Sequence, residues 1–553
     1  MNERAKNAAR NFLENETEFH LGFLPTEQSN PITRNLDRAF ASATSEGVRL
    51  LQRADREVLP MARKIFVSQE FRRMVETGVR TVKGGGRIVF SGCGATGRLS
   101  ILLECMWRDC CFKNESVKQH ADQVFSIMTG GDYALIRSVE FFEDYQSFGR
   151  RQVADLEMGE KDMLVAITEG GETSSVIGTV KEAVERGSAV FLLFNNPAAL
   201  LRERLVRCRE VIDDPAVTVL DLCCGPMAVA GSTRMQATTC EQLVGGALLE
   251  TILAERNQEL PAPENFADSF ERVLDHLESA DSVAAIAGEI DFEAETYSRH
   301  GKVTYFANAY LLDLFTDTTE RSPTFMLPPF RRKDDPAAVP SWAFVKNPCY
   351  STRETWRHML RRAPRCLEWT PADYITMGAQ EKIVAAPPRI SVEDLYQMEV
   401  GNEPAPERYT GKDDAAVLVL FPGASGNPEL SAAFETASAP YPVRRTLELR
   451  SGATDSPLGL MHHMAVKLAL NTISTGTMVK LGRVAGNWMS YVDISNKKLV
   501  DRAIRLISEL GKLPYEEACY ALFDAVEAMA REDWSNREKP SPVQYTLARI
   551  GRK

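Results

Sequence analysis

The chain has 553 residues, a formal net charge of −11 at pH 7 and a pI of about 5.4. Hydrophobic residues make up 44% and charged residues 25%, which is typical of a globular enzyme and excludes a disordered or fibrous protein. The length predicts two or three domains. The acidic balance argues against nucleic acid as a partner.

The sequence also argues against a membrane, a metal or another cofactor. No apolar run reaches the roughly 20 residues of a membrane-spanning helix, and the polar residues 1–20 do not resemble a signal peptide. The 11 cysteines show no CxxC spacing. We therefore expect reduced thiols, no metal site and a soluble protein in the cytoplasm.

The first half of the chain alternates predicted helices and strands. Residues 37–80 have helical spacing, and short apolar runs then alternate with helical segments. Such alternation predicts an α/β domain with a parallel sheet between helices. In chain order these elements are a strand at Arg87–Ser91, a helix at Leu99–Trp107, a strand at Asp162–Ile167, a helix at Ser175–Arg186, strands at Ala189–Phe194 and Val217–Asp221, and a long helix at Met235–Ala254.

The same order returns after the polar, proline-containing segment Asn257–Asn265, which predicts a duplicated α/β unit. The repeated elements are a helix over 266–299, strands at Val303–Ala307 and Ala416–Phe421, and a helix over 458–480. The last fifty residues have helical spacing. The predicted organisation is a helical segment (1–60), a first α/β domain (61–257), a second one (258–500) and a helical C-terminal segment (501–553).

Two loops in the first half have the composition of an anion site. The turn Gly92–Arg98 has the spacing GxGxxG between a strand and a helix, where backbone N–H groups and the helix dipole attract a phosphate. Alone, this pattern also fits a plain tight turn or a dinucleotide site. The loop Thr168–Ser175 follows the next predicted strand, and loops at the carboxyl ends of neighbouring parallel strands meet in one crevice. Together they predict a sugar-phosphate site.

Further motifs resemble a known family. These loops resemble those of sugar-isomerase (SIS) domains, and other motifs are similar to N-acetylmuramic acid 6-phosphate etherases. A chain with two such domains is also the layout of the vertebrate glucokinase regulatory proteins, which are non-catalytic. The motifs that carry the resemblance are Leu24–Pro31, Gly130–Ala134, Val139–Asp144, Gly231–Met235, Lys467–Gly476 and Gly486–Asp493.

The two halves depart from the etherase pattern in complementary ways. At the position of the etherases' first catalytic glutamate, the first half has Met106 and the second half has Glu320. The family's helix lysine corresponds to Gln242 in the first half and to Lys467 in the second. The loop Phe306–Leu312 of the second half contains no glycine. If the halves pack as an intramolecular pseudo-dimer, the resemblance implies one composite site.

The resemblance also implies a role for each site residue. Cleavage of an ether beside a sugar carbonyl needs a base for the C2 proton and an acid for the leaving oxygen. Glu320 would be the proton donor, Glu143 the second acid/base, and Lys467 a charge for the phosphate or a sugar oxygen. The implied substrate-binding residues are Gly94, Ala95, Thr96, Gly97, Thr168, Glu169, Gly170, Thr173 and Lys467.

Alternatives stay open at several positions. Glu140 is as acidic as Glu143, Glu172 stands where etherases have an arginine, and Gly170 replaces a serine.

The sequence is compatible with a carbon–oxygen lyase acting on an amino-sugar 6-phosphate. The resemblance favours the lyase, and the alternative is a non-catalytic, sugar-phosphate-responsive regulator of a partner protein, similar to the glucokinase regulatory proteins. An aldose–ketose isomerase fits less well, because the etherase-like motifs exceed the general SIS pattern.

Overall fold

The computed structural model describes residues 3–139, 141–257, 260, 265–421, 427–534 and 538–551. Helices precede the first strand. The predicted helix over 37–80 is divided, because Ala43 is extended and the Ser68 hydroxyl caps a new helix by accepting from the Phe71 N–H. The helices are α1 (Glu3–Asn15), α2 (Leu36–Ser42), α3 (Thr44–Asp55), α4 (Val58–Ile65) and α5 (Gln69–Lys83).

The first half forms a five-stranded parallel sheet in the order β2-β1-β3-β4-β5. Its strands are β1 (Ile88–Gly92), β2 (Val124–Met128), β3 (Met163–Ile167), β4 (Ala189–Phe194) and β5 (Val217–Asp221). Its helices are α6 (Ala95–Lys113), α7 (Gln146–Asp155), α8 (Ser174–Glu185), α9 (Ala198–Arg204), α10 (Val206–Ile212) and α11 (Gln236–Arg256). The chain order reverses at β1, so the turns after β1 and β3 flank one crevice.

The second half forms a four-stranded parallel sheet in the order β7-β6-β8-β9. Its strands are β6 (Val303–Phe306), β7 (Ala343–Lys346), β8 (Ala415–Leu420) and β9 (Val443–Glu448). Its helices are α12 (Phe266–Leu277), α13 (Ala280–Ser298), α14 (Leu311–Phe325), α15 (Thr352–Leu360), α16 (Pro371–Thr376), α17 (Glu381–Ala385), α18 (Val392–Tyr396), α19 (Pro428–Ser438) and α20 (Leu460–Lys480).

The C-terminal segment packs against the N-terminus. After the short hairpin β10 (Val484–Ala485) and β11 (Trp488–Met489) come α21 (Lys497–Gly511), α22 (Tyr515–Met529) and α23 (Pro542–Arg549). Helix α1 packs on α22, and both contribute to one apolar cluster with α21. Within the described residues, no helix is long and apolar enough to cross a membrane.

The prediction of an α/β fold with two parallel sheets flanked by helices is confirmed. Helices α11 and α20 pack on each other, and a single apolar core includes Phe90 and Leu248 of the first half with Tyr305 and Leu470 of the second. The predicted helix over 266–299 is two helices instead. The Ser279 hydroxyl accepts from the Ser282 N–H and starts α13, which is the physical reason for the break.

A buried ion cluster also joins the halves. Glu104 of α6 is fully buried and pairs with Arg108 on its own helix. Arg362 and Arg365, from the loop after α15, also pair with Glu104, and Arg362 binds Asp132 of the first half at 2.5 Å. Burial raises the pKa of the Glu104 carboxyl, but Arg362 and Arg365 outweigh burial and hold that pKa below its usual value. Glu104 is therefore a structural anion in this fold.

Candidate functional site

The glycine turn after β1 is closed by the side chain of Thr96 and by close packing of the backbone. Thr96 is buried, its hydroxyl donates to the Cys93 carbonyl at 2.9 Å, and it accepts from the Cys93 N–H at 3.0 Å. Gly94 has a positive φ of 57°, which favours glycine. A Cβ on Gly92 would lie 2.5 Å from the Thr96 carbonyl oxygen. The Thr96 hydroxyl proton therefore closes the turn, and α6 offers a ligand its first backbone N–H groups, including that of Ala95.

The loop after β3 presents a second set of donors. The Thr168 hydroxyl donates to the Thr173 hydroxyl at 3.0 Å, so the Thr173 proton is left for another acceptor. Thr173 precedes the first turn of α8, where backbone N–H groups have no partner within the helix. Gly170 lies beside Glu172, and a Cβ there would lie 2.7 Å from Glu172 Oε1. A serine at 170 would therefore crowd the Glu172 carboxylate.

Glu172 is neutralised by a residue that the sequence analysis did not identify. Lys498 of α21 donates to Glu172 Oε1 at 2.6 Å. Burial raises the pKa of the Glu172 carboxyl, but Lys498 and Arg207 together outweigh burial and the pKa lies below its usual value. The repulsion between Glu172 and a phosphate that the sequence suggested is therefore offset by the ammonium of Lys498. Lys498, Arg502 and Arg505 recur at helical spacing, and that basic face was the available signal in the sequence.

The second half meets the first at a small cavity of about 40 Å³. Ala95 of the glycine turn lines it together with Glu320 of α14 and Lys467 of α20, so the structure brings these three predicted residues together. Arg98 and Arg234, which the sequence analysis did not assign to the site, line the same cavity.

Glu320 is buried beside a fixed network of charges. Burial raises the pKa of its carboxyl, and the nearby Asp317 carboxylate raises it further, while Arg98 and Arg234 lower it. Asp317 itself accepts from Arg234 at 3.1 Å and pairs with Arg321 at 3.1 Å. Asp317 thus fixes the two guanidinium groups and lines the cavity together with Glu320.

Lys467 is held by acceptors of both halves. Its ammonium donates to the carbonyls of Arg234 and Met235 at 3.1 Å each, to Thr239 Oγ1 at 2.7 Å and to Asn471 Oδ1 at 3.1 Å. Burial lowers the pKa of Lys467 to about 8. The side chain is therefore a fixed charge at the start of α11 and does not extend to solvent.

Glu143 lies on a single turn of 3-10 helix, Phe142–Asp144, that precedes α7. Asn496 donates to its Oε1 at 2.5 Å. Burial raises the pKa of the Glu143 carboxyl to about 7, although Lys498 opposes this shift. Glu140, the alternative acid, lies outside the described residues.

Glu169 connects the groups of the two halves. Burial raises its pKa to about 7, Lys498 and a hydrogen bond with Thr233 lower it, and the Glu320 carboxylate raises it further. Burial also raises the pKa of the Cys93 thiol, and the negative charges of Glu143 and Glu169 contribute to that rise. Glu143, Glu169 and Glu320 thus belong to one electrostatic environment around the glycine turn.

The crevice at the corresponding position of the second half is lined by different residues. A cavity of about 450 Å³ is lined by Met106, by Tyr310 before α14, and by His463, which pairs with Asp313 at 2.9 Å. Tyr310, the residue before α14, has a left-handed backbone conformation. The residue before α6 in the first half is Gly94. Among the described residues, no group of His, Cys, Asp and Glu could hold a metal ion.

Comparison with solved structures gives low overall scores. The C-terminal domain of glucosamine-fructose-6-phosphate aminotransferase from Francisella tularensis has a TM-score of 0.39 at 9% identity, covering 79% of this chain and 96% of that one. Tagatose-6-phosphate ketose/aldose isomerase from Escherichia coli has a TM-score of 0.39 at 9% identity, covering 79% and 94%. The fold is established by the strand order described above.

Comparison of sequences identifies the relatives. Residues 70–184 match the glucokinase regulatory protein N-terminal SIS domain. N-acetylmuramic acid 6-phosphate etherases from Bacillus licheniformis, Rippkaea orientalis and Aliivibrio fischeri are 28%, 31% and 29% identical over 41%, 40% and 41% of this chain. The aligned segments span only 67%, 65% and 70% of those etherases. Residues 70–184 thus match an SIS domain of the glucokinase regulatory protein type, and the chain is similar to the N-acetylmuramic acid 6-phosphate etherases, as its motifs predicted.

Proposed function

We propose that the chain is an intramolecular pseudo-dimer that binds one sugar 6-phosphate and acts as a carbon–oxygen lyase on an amino-sugar 6-phosphate. The observation that carries this proposal is the shared cavity, in which Ala95 of the glycine turn meets Glu320 and Lys467 of the second half. An anion site beside buried carboxyls is what elimination from a phosphorylated sugar requires. The relationship to etherases favours this reaction class.

In this proposal the phosphate binds the N-terminal N–H groups of α6 and α8 and the Thr173 hydroxyl. Lys498 and Lys467 supply positive charge on either side. The enclosed volume of about 40 Å³ is too small for a hexose 6-phosphate. Ligand binding therefore requires the walls of the cavity to move apart. Asn496 and Lys498 at the start of α21 bind Glu143 and Glu172, so in this proposal a movement of α21 would release these carboxyls.

The proposed chemistry uses two carboxyls with raised pKa values. Glu143 as carboxylate removes the proton from C2 of the sugar, and the electron pair forms a carbon–carbon double bond. The neighbouring carbon–oxygen bond breaks, and Glu320 gives its proton to the leaving oxygen. A pKa near 7 suits proton exchange at neutral pH because both protonation states are then populated. Burial of the Glu320 carboxyl favours its protonated form.

A non-catalytic regulator is the second candidate, and two observations favour it. Residues 70–184 match a domain of the glucokinase regulatory protein. Lys467 already donates to four protein acceptors, as expected of a residue that joins the halves. In this alternative, the sugar phosphate would stabilise one arrangement of α21 and the ligand would control binding of a partner protein.

One experiment separates the two candidates. The purified chain is incubated with a panel of hexose and hexosamine 6-phosphates, including N-acetylmuramic acid 6-phosphate, while thermal stabilisation and product release are both followed. Release of lactate or another leaving group supports the lyase, and stabilisation without product supports the regulator. Calorimetric titration with the best ligand should give one site per chain, and two equivalent sites would contradict the composite site.

A further inference from the structure

A second cavity adjoins the turn that carries Glu143. Its volume is about 580 Å³, which lies within the range of small-molecule sites. Residues of both halves form it, including Tyr133 and Phe141 of the first half and Arg332, Lys382 and Ile390 of the second. The lining residues described for this cavity do not include those around Glu320. It is therefore a separate candidate site.

The walls of this cavity combine flat apolar surface with positive charge. Tyr133, Phe141 and Ile390 provide apolar area, and the described part of the lining has four basic residues and two acidic ones in a chain of net charge −11. Arg332 is held in place by Asp334 at 2.8 Å and by Asp394 at 2.7 Å.

Lys382 is the cation of this cavity that remains available. Its ammonium lies 3.2 Å from the centre of the Phe141 ring, and among the described residues it has no carboxylate within ion-pairing distance. An anion could therefore approach Lys382 without displacing an existing partner. A neighbouring aromatic face can stack on a flat ligand at the same time.

The backbone beside the cavity is strained in a way that is common at binding sites. Phe141 has a φ of 66°, which a non-glycine residue rarely adopts. The next residue, Phe142, is buried in an aromatic cluster, 4.7 Å from the ring of Phe148 and stacked on Trp369 at 6.1 Å. The cluster fixes the turn, so the Phe141 ring forms a preset wall.

We propose that this cavity is a second ligand site, which binds a small aromatic molecule carrying one acidic group, with the acidic group at the ammonium of Lys382 and the rings against the apolar wall that Tyr133 and Ile390 form. The site does not depend on the proposed lyase or regulator function. Its occupant would contact the same turn that carries Glu143.

The test uses a fluorescent probe of this chemistry with the full chain. 8-Anilinonaphthalene-1-sulfonate should bind the native protein at one saturable site. N-phenyl-1-naphthylamine, which has the same rings without the sulfonate, should bind at least tenfold more weakly. Equal binding of the two probes, or several unsaturated sites for the sulfonate, would overturn the proposal.

Variants locate the probe. Lys382→Glu should weaken binding of the sulfonate at least tenfold, and Lys382→Met should weaken it less. Lys412→Glu, the same charge change at an exposed lysine outside the cavity, should leave it unchanged. Circular dichroism and the thermal midpoint establish that each variant is folded. If Lys382→Glu and Lys412→Glu behave alike, the cavity is not the binding site.

A competition experiment separates this site from the proposed sugar-phosphate site. Excess glucosamine 6-phosphate should not displace the sulfonate probe. Competitive displacement would overturn the proposal, because the two ligands would then share one site. If no sugar phosphate binds at all, the proposed function fails while the probe result with Lys382→Glu still decides the second site.

Discussion

The candidate site concentrates carboxyls whose protonated form the protein favours. Burial is the main cause of the raised pKa of Glu143, Glu169 and Glu320, and it outweighs the cations near each of them. Lys498 lowers the pKa of Glu143 and Glu169, but its ammonium donates to Glu172. Raised pKa values of this kind cluster at functional sites, since they place proton exchange near neutral pH.

The first prediction concerns the division of labour between the halves. If both carboxyls serve one lyase site, Glu320→Gln should lower turnover by about 10²–10⁴-fold, because it removes the proton donor and keeps the shape of the side chain. Affinity for the sugar phosphate should change little. Steady-state turnover and calorimetric affinity of wild type, Glu320→Gln and Glu143→Gln measure this. Met106→Glu should not restore activity, because Met106 lines the other crevice.

Full activity in Glu320→Gln with none in Glu143→Gln would refute the shared site. If the wild-type protein binds a sugar phosphate tightly without turnover, Glu320 acts as a hydroxyl-binding group. Its substitution should then reduce affinity.

The second prediction concerns Lys498 and Glu172, which bind each other at 2.6 Å. Lys498→Met leaves a buried carboxylate unpaired beside the phosphate loops, so sugar-phosphate affinity and thermal stability should both fall. A loss of about 1–3 kcal/mol of stability is expected for such an unsatisfied group. In the double variant Lys498→Met/Glu172→Gln, stability should recover while affinity stays low. Recovery of both would show that Lys498 only neutralises Glu172.

At the scale of elements, the turn from β1 to α6 depends on close approach of two backbone segments. We predict that Gly92→Ala strongly destabilises the fold, because its Cβ would lie 2.5 Å from the Thr96 carbonyl oxygen. Gly288→Ala is the matched control, since Gly288 is an exposed position of α13 and no atom lies within 4 Å of its added Cβ. The control should gain about 0.5–1 kcal/mol from helix propensity. The thermal midpoints of Gly92→Ala and Gly288→Ala are measured, and equal midpoints would contradict the close approach of Gly92 to Thr96.

At the scale of the whole molecule, the Glu104 cluster couples the halves. Glu104→Ala would remove the buried carboxylate that Arg108, Arg362 and Arg365 share and leave Arg362 with Asp132 alone, so we predict a loss of about 3–5 kcal/mol of stability. Glu435→Ala, which removes the exposed pair with Arg444, should cost no more than about 1 kcal/mol. Calorimetry also reports whether the halves of Glu104→Ala unfold separately. A loss as small as that of Glu435→Ala would show that the cluster contributes little.

The pH dependence of stability follows from the raised pKa values. The pKa of Glu169 rises from 4.5 to about 7 in the folded protein, so the folded state holds its proton more tightly. The stabilisation of the folded state by this proton is complete below about pH 4.5, and it is lost as the pH rises through about 7. Relative to wild type, Glu169→Gln should gain stability between pH 5 and 8, at no more than about 1.4 kcal/mol per pH unit. If the free energy of unfolding of Glu169→Gln differs from that of wild type by a constant amount across this pH range, the raised pKa of Glu169 is contradicted.

The sequence by itself determined the α/β elements whose signal is local. β3 and β4 are continuous apolar runs because parallel strands are buried on both faces, and their predicted positions match within one residue. β9 was not predicted, because four of the six residues of this edge strand, Val443–Glu448, are polar and no apolar run marks it. The glycine turn was also readable, since Gly92 and Gly94 are required by local geometry.

Only the tertiary structure decided which charges meet. Lys498 lies more than 300 residues from Glu172 in the chain, and no local pattern pairs them. The hydroxyl of Thr96 looked free to bind phosphate, but in the structure it donates to the Cys93 carbonyl three residues earlier in the same turn. The surroundings of Lys467 were also decided by the tertiary structure, because its acceptors come from the start of α11 as well as from its own helix α20. Local spacing fixes strands and helices, whereas burial and long-range pairing fix the charge of the site.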